Sequence, residues 1–135
     1  MPENATRMDN SNPKRVDDKT IPDSEGLWRH IHPNPSQIVR DEKLQEWRPS
    51  SAAFIDRRGE LSVDLASLTT VERSLAGRPE HSLAEVKAED FRRRGYAVVR
   101  DPLPDNPAHA LVCGRMSKSH AREIARSARW IVLRR

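Results

Sequence analysis

Residues 96–115 read YAVVRDPLPDNPAHALVCGR, and this stretch says most about the fold. Its two apolar runs, YAVVR and HALVCGR, are short and continuous and therefore predict strands. The segment DPLPDNP between them predicts a loop, because it holds three prolines in seven residues. We expect this proline-stiffened loop to deliver His109 to the start of the second strand.

Immediately upstream, the chain predicts one further strand and one helix. ELSVDL at 60–65 alternates apolar and polar residues, so Ser62 and Asp64 share the face opposite to its leucines and valine. AEDFRRR at 88–94 predicts a helix that ends at a glycine with basic residues in its last turn. LAEVKA at 83–88 is interpreted either as a strand or as the start of that helix.

The N-terminal half predicts two more strands and a short helix. LWRHIH at 27–32 alternates in the period of a strand and ends before two prolines. Ser36 is placed to cap a helix across QIVRDEKLQEW at 37–47. SSAAFID at 50–56 predicts another short strand.

Downstream, a helix is expected up to Ala128, capped by Ser117 or Ser119, and WIVL at 130–133 predicts a last strand. The chain thus predicts about five or six strands and three helices in mixed order. This pattern indicates an α+β fold, with a mostly antiparallel sheet covered on one side by helices. We expect one basic domain over residues 26–135, behind a disordered tail at 1–25.

Charge is distributed unevenly along the 135 residues, which carry a net charge of +4. Residues 1–25 hold six acidic and four basic side chains, whereas from Phe91 onward eleven Arg or Lys residues oppose three acidic ones. The basic region favours nucleic acid or an acidic protein as a partner, although a solvated Arg-rich surface gives the same pattern. The arginines expected to contact nucleic acid are Arg92, Arg93, Arg94, Arg122, Arg126 and Arg129.

Several classes of protein find no support in this sequence. A run of about 18 apolar residues is missing, and the first residues show no secretion signal, so we expect a cytoplasmic protein without a membrane partner. Cys113 is the only cysteine, which excludes an internal disulfide, and its apolar surroundings predict a buried, inert thiol. The P-loop, Rossmann, zincin and nucleophile-elbow motifs are absent, and no cofactor is predicted.

The histidines raise two hypotheses. His30 and His32 share one face of their strand, but a zinc site needs at least one more ligand, so no metal is predicted. If His32 and His109 met across the sheet, they would form an acid and base pair of the kind that phosphodiester cleavage requires. The favoured interpretation is that His109 pins its own loop through a hydrogen bond.

Two further candidates belong to the same enzymatic hypothesis. Ser51 (or its neighbour Ser50) is a possible hydrogen-bond donor to a substrate. Arg29 lies on an otherwise apolar face, and a buried arginine needs an anionic partner. It is therefore either an anion-binding residue or half of a buried ion pair, for instance with Asp64 or Glu85. The candidate catalytic residues are Arg29, His32, Ser51 and His109.

Four segments carry a resemblance to known proteins. The succession of HP at 32–33, PSSAAF at 49–54, LSVD at 61–64 and DPLPDNPAHA at 101–110 resembles a group of small, uncharacterised bacterial proteins. This resemblance implies a bacterial cytoplasmic protein whose marked polar positions line one site. LWRHIHP is also faintly similar to the first strand of RES-type NAD-consuming toxins, where Arg29 would match an arginine of the NAD pocket; their GGRWN stretch is absent here.

Two functions are compatible with these patterns. The first is an accessory binding module of a bacterial system that contacts nucleic acid or an acidic protein through its basic C-terminal face. The alternative is a small toxin-like enzyme, either ADP-ribosyltransferase-like or nuclease-like, that uses a pocket of Arg, His and Ser side chains.

Overall fold

The computed structural model describes residues 15–134 and confirms the α+β class. The strands are β1 (Gly26–Ile31), β2 (Ile38–Asp41), β3 (Glu46–Pro49), β4 (Glu60–Leu65), β5 (Ser82–Lys87), β6 (Ala97–Arg100), β7 (His109–Cys113) and β8 (Arg129–Val132). The α-helices are α1 (Val71–Ser74), α2 (Ala88–Arg92) and α3 (Lys118–Ser127), and 3-10 helices cover Ser51–Phe54 and Ala66–Leu68.

Six strands form one antiparallel sheet in the order β6–β7–β4–β1–β5–β8, and β2 and β3 form a separate hairpin. The register of β4 against β7 places Asp64 opposite His109. Between β1 and β4 only two residue pairs form, Leu27 with Leu65 and Trp28 with Asp64. The two strands are therefore unpaired beyond Trp28, at the centre of the sheet.

The core lies between one face of the sheet and the elements that cover it. Ile124 of α3, Phe91 of α2 and Phe54 of the first 3-10 helix belong to the same buried cluster as Leu27 of β1. Helix α3 begins where the sequence predicts, because the Ser117 hydroxyl accepts the His120 N–H at 3.0 Å. Burial of this apolar face supplies most of the driving force for folding.

Residues 37–56 differ from the sequence prediction. The helix expected over 37–47 is the hairpin of β2 and β3, because the Asp41 carboxylate accepts the N–H groups of Lys43 and Leu44 and stabilises a turn. Gln45 completes this turn with a φ of 55°. The strand expected over 50–56 is a 3-10 helix that buries Ala53 and Phe54.

The segment from Arg15 to Glu25 packs on the domain, although the sequence predicts a disordered tail over 1–25. Ile21 is only 1% exposed. The N–H of Asp18 donates to the carbonyl of Val98 at 2.8 Å, and the Asp17 carboxylate accepts the Val98 N–H at 2.8 Å. These bonds cover the free edge of β6, so the domain begins before residue 26, and the rest of the predicted tail lies outside the described residues.

Candidate functional site

Polar side chains gather on the face of the sheet opposite to α3. Alternation places Ser62 and Asp64 of β4 on this face, and the register brings His30 of β1 and His109 of β7 to either side of them. Since β1 and β7 both flank β4, the two histidines belong to the strands on either side of Ser62 and Asp64.

Asp64 is the centre of a buried hydrogen-bond network. Its Oδ2 accepts the Ser74 hydroxyl at 2.5 Å, its Oδ1 accepts the Asn106 amide at 2.9 Å, and Nε2 of His30 lies 3.6 Å from Oδ2. Burial by itself raises the pKa of this carboxyl, but contacts with His30, Ser74 and Asn106 outweigh burial and hold the pKa of Asp64 below its ordinary value. Asp64 is therefore a carboxylate at neutral pH.

His109 connects the proline-rich loop to β4. Its Nδ1 lies 3.0 Å from the backbone carbonyl of Asp101 and 3.2 Å from the Asp101 carboxylate, and its Nε2 lies 3.2 Å from the hydroxyl of Ser62. The contact with Asp101 is the loop-pinning bond that the sequence favours. The contact with Ser62 was not predicted from the sequence. Through it, the His109 imidazole links the Asp101 carboxylate to the Ser62 hydroxyl.

Arg29 lies where β1 and β4 stop pairing. Its Nε donates to the Ala53 carbonyl at 2.8 Å, and its Nη1 donates to the Ser62 carbonyl at 3.1 Å. Among the described residues, neither Asp64 nor Glu85 forms an ion pair with Arg29. Of the two roles that the sequence suggests for Arg29, the structure is therefore compatible with anion binding. Burial lowers the pKa of Arg29, while the nearby Asp56 carboxylate opposes that shift.

A pocket of about 790 Å³ lies over this polar face. Arg73 of α1 and Arg78 just beyond it stand at its wall, both exposed, and neither guanidinium has a hydrogen bond or ion pair with residues 15–134. The polar side chains that line the pocket are Arg29, His30, Ser62, Asp64, Thr69, Arg73, Ser74, Arg78, Asp105, Asn106 and His109.

Two of the four predicted catalytic residues meet in this pocket. Arg29 and His109 both line it, whereas His32 and Ser51 do not. His32 instead packs against His81, with the ring planes tilted by 56° and 4.4 Å between ring centroids, and Ser51 begins the first 3-10 helix. His30, and not His32, lines the pocket, because His30 lies within β1 whereas His32 follows its end.

Four residues of the site were not predicted from the sequence: Ser62, Asp101, Arg73 and Arg78. For Ser62 a signal existed, because the alternation in LSVD places it beside Asp64 on the polar face. Asp101 begins the loop that ends at His109, and its contact with the imidazole depends on the pairing of β6 with β7. Nothing in the local pattern relates Arg73 and Arg78 to His109, because they follow β4 in the chain and approach only in the folded structure.

The histidines at 30, 32 and 81 lie side by side, but they do not converge on one point. His81 meets His30 edge to face at 5.6 Å between ring centroids. Burial, and then the neighbouring imidazoles, lower the pKa of His81. Within residues 15–134, no group of three or more His, Cys, Asp or Glu side chains is arranged to hold a metal ion.

Most arginines of the predicted nucleic-acid face are paired with carboxylates. Arg92 contacts Asp17 and Asp23, and Arg93 contacts Asp90. Two others pair in the same way, Arg94 with Glu123 at 2.9 Å and Arg129 with Glu85 at 3.0 Å. By contrast, the exposed Arg122 and Arg126 of α3 have no such partner among the residues that the structure describes.

A second groove of about 840 Å³ separates the β2–β3 hairpin from α3 and β8. Trp47 and Trp130 contribute to its wall, and Nε1 of Trp130 donates to the Trp47 carbonyl at 2.9 Å. Leu44 at its rim is 64% exposed, and Arg126 borders it. The groove thus combines an apolar wall with the exposed guanidinium of Arg126, and Asp41 and Glu46 also line it.

No helix within residues 15–134 combines the length and the apolar character needed to cross a membrane. In comparisons with known proteins, no family model, no curated protein and no solved structure matches the chain.

Proposed function

We propose that the pocket over the polar face of the sheet binds a phosphate ester, as in a small nuclease-like or NAD-consuming enzyme. The observation that supports this most is that Arg29, Arg73 and Arg78 line one pocket and none of them has an ion-pair partner within residues 15–134. Guanidinium groups bind phosphate oxygens in pairs of parallel hydrogen bonds, and such charge-assisted bonds are about twice as strong as neutral ones.

The other pocket residues suit an ester substrate. The carboxylate of Asp64 is already occupied by Ser74 and Asn106, so it does not compete for the arginines. His30 and His109 belong to the strands on either side of β4, and both line the pocket. Imidazoles at such positions are the side chains that most often transfer protons to and from a reacting ester.

Calorimetric titration with AMP, NAD and a short RNA oligonucleotide tests this proposal at low and at raised salt. We expect binding of at least one ligand, weakened at least about tenfold by the double variant R73A/R78A. The matched control is R57A/R58A, which removes the same charge from two exposed arginines in the turn that precedes β4. Equal weakening by the control, or no binding at low salt, would count against the pocket.

A second candidate function is supported by the C-terminal face: an accessory module that binds an acidic partner. The specific observation is that the unpaired Arg126 borders the groove that contains Trp47 and Trp130. Exposed apolar side chains beside a free cation suit an acidic protein segment better than a nucleic-acid backbone. Four of the six predicted nucleic-acid arginines are also already neutralised by carboxylates.

Fluorescence anisotropy separates the two kinds of partner. Labelled single- and double-stranded DNA and RNA are compared with an acidic peptide that contains leucine and phenylalanine, over a salt series. We expect R122A/R126A to weaken binding of the acidic peptide, and R57A/R58A is the charge-matched control. Strong, steeply salt-dependent binding of nucleic acid would instead support the phosphate-contact hypothesis.

We also propose that the protein acts in the bacterial cytoplasm. Its single cysteine, buried in β7, forms no disulfide, as is usual for proteins of a reducing compartment. Localisation of a tagged chain by cell fractionation tests this setting.

A further inference from the structure

We propose that Ser62 is a nucleophile, activated by His109, that takes the phosphoryl group from an ester bound in the pocket. This inference rests on the proposed function and names the reaction of its nuclease-like form, in which a bond to phosphorus breaks. Asp101 serves as a positioning residue, since it contacts the imidazole and not the substrate.

The surroundings of His109 fix which ring nitrogen carries the proton. Nδ1 faces two oxygens of Asp101, the backbone carbonyl at 3.0 Å and the carboxylate at 3.2 Å. A carbonyl and a carboxylate only accept, so Nδ1 must be the donor. In the neutral ring Nε2 then holds a lone pair, and it accepts the Ser62 hydroxyl at 3.2 Å.

Ser62 is free to react. It is exposed, it lines the pocket, and its hydroxyl has no other hydrogen bond within residues 15–134. Its backbone carbonyl accepts Nη1 of Arg29 at 3.1 Å, which places a positive charge beside the point of attack. A fixed cation at that point stabilises the negative charge that develops on the phosphoryl oxygens.

Ser74 lies in the same pocket but is arranged differently. It is buried, and its hydroxyl donates to the Asp64 carboxylate at 2.5 Å. Nε2 of His30 faces this hydroxyl oxygen at 3.2 Å and the same carboxylate at 3.6 Å, so it acts as the donor. A donor nitrogen cannot remove a proton from Ser74, and this difference selects Ser62 as the nucleophile.

The reaction balances without any further cofactor. Oγ of Ser62 attacks phosphorus while its proton moves to Nε2 of His109, an Oγ–P bond forms, and the bond to the leaving oxygen breaks. The imidazolium then gives this proton to the leaving oxygen. In the second step water attacks phosphorus, Nε2 takes its proton, and the Oγ–P bond breaks as that proton returns to Ser62.

A fluorophosphonate probe tests the nucleophile directly, because Oγ displaces fluoride from phosphorus and leaves a stable adduct. We expect one adduct by intact mass, mapped to Ser62 by peptide analysis of the wild-type chain. S62A should abolish it, and S67A, which changes an exposed serine outside the pocket, should leave it unchanged.

The neighbours of Ser62 provide further tests. We expect H109A to slow labelling about 100-fold or more, and H32A, outside the pocket, to have no effect. D101A should slow the labelling step at saturating probe without changing probe affinity, and D101N, whose amide oxygen still accepts from Nδ1, should restore much of the rate. A merely structural role of Asp101 would change thermal stability but not distinguish these two variants.

The outcomes also separate this inference from the proposed function. If phosphate esters bind but Ser62 is not labelled, the nucleophile is excluded and the binding pocket stands. If Ser62 is labelled while AMP, NAD and RNA do not bind, the serine is reactive but the phosphate-ester proposal fails. Labelling at another serine or at a tyrosine would overturn the assignment of Ser62.

Discussion

The Ser74 hydroxyl donates to the Asp64 carboxylate across 2.5 Å and thereby ties α1 to the central strand β4. Asp64 is 4% exposed, and Ser74 is 8% exposed. A carboxylate this deeply buried is tolerated only where hydrogen bonds replace its water, and Ser74 and Asn106 supply them, while Nε2 of His30 lies 3.6 Å away. Asp64 and Ser74 therefore line the pocket and also stabilise the fold.

Replacing Asp64 should destabilise the fold. We expect D64A to lower the free energy of unfolding by about 3 kcal/mol, because it leaves the buried hydroxyl of Ser74 without its acceptor. The control D105A changes an exposed aspartate of the same pocket and should have little effect. Urea denaturation at neutral pH measures both, and equal midpoints would contradict the role given to the network.

The same carboxylate predicts a dependence on pH. Because the pKa of Asp64 is lower in the folded chain than in the unfolded one, its contribution is complete above the ordinary value of about 3.9. It is lost as the pH falls through the folded-state pKa. The difference in unfolding free energy between wild type and D64N should therefore shrink in acid, as urea denaturation over a pH series would show.

Arg92 should hold the first described residues on the domain. Its guanidinium donates to Asp17 at 2.9 Å, to Asp23 at 2.8 Å and to the carbonyl of Asp18 at 2.8 Å. We expect R92A to cost about 2 kcal/mol, because it leaves partly buried carboxylate and carbonyl oxygens unpaired.

Limited proteolysis checks the consequence for the segment 15–25, which should become cleavable in R92A. The neighbouring R93A is the control, since the side chain of Arg93 is 62% exposed and, within residues 15–134, pairs only with Asp90. Such a surface pair contributes less than about 1 kcal/mol. If both variants were cleaved alike, the contacts of Arg92 would not be what anchors this segment.

Cys113 should be unreactive in the folded chain. Burial raises the pKa of its thiol to about 11, so almost no thiolate exists near neutral pH. We expect a disulfide reagent such as DTNB to modify it at least about a hundredfold faster in urea than in the native state. Comparable rates in both states would mean that β7 is accessible to reagent.

Gly26 should resist even the smallest side chain. A Cβ atom there would lie 2.2 Å from Oε2 of Glu85, which accepts the indole N–H of Trp28 at 3.0 Å. We expect G26A to destabilise the fold by about 1–3 kcal/mol and to change tryptophan fluorescence. In a double-mutant cycle the same substitution should cost less in the E85A background, and strict additivity would exclude this contact as the cause.

The sequence by itself determined the elements whose signals are local. The alternation of ELSVDL, the apolar runs in YAVVR and HALVCGR and the Ser117 cap predicted β4, β6, β7 and the start of α3. These signals suffice because they depend only on neighbouring residues: side-chain direction in a strand, or an orphan N–H at a helix start. The α+β class followed from their order.

Tertiary structure decided the parts whose partners are distant in the chain. The segment 37–47 has a composition that is compatible with a helix. It nevertheless forms most of a hairpin, because Asp41 stabilises a turn and Ile38–Asp41 pairs with Glu46–Pro49. The segment 15–25 has few apolar residues, yet the edge of β6 and the guanidinium of Arg92 order it. In both cases hydrogen-bond partners override a weak local preference.

The candidate site divides in the same way. The sequence placed Ser62 and Asp64 on one face of a strand and marked Arg29 and His109 as unusual. Only the folded chain brings His109 to Ser62, 47 residues away, because the register of β4 against β7 is set by burial of their common apolar face. A one-residue shift of that register would turn the polar side chains of a strand toward the core. Packing, and not the local pattern, therefore determines which side chains meet.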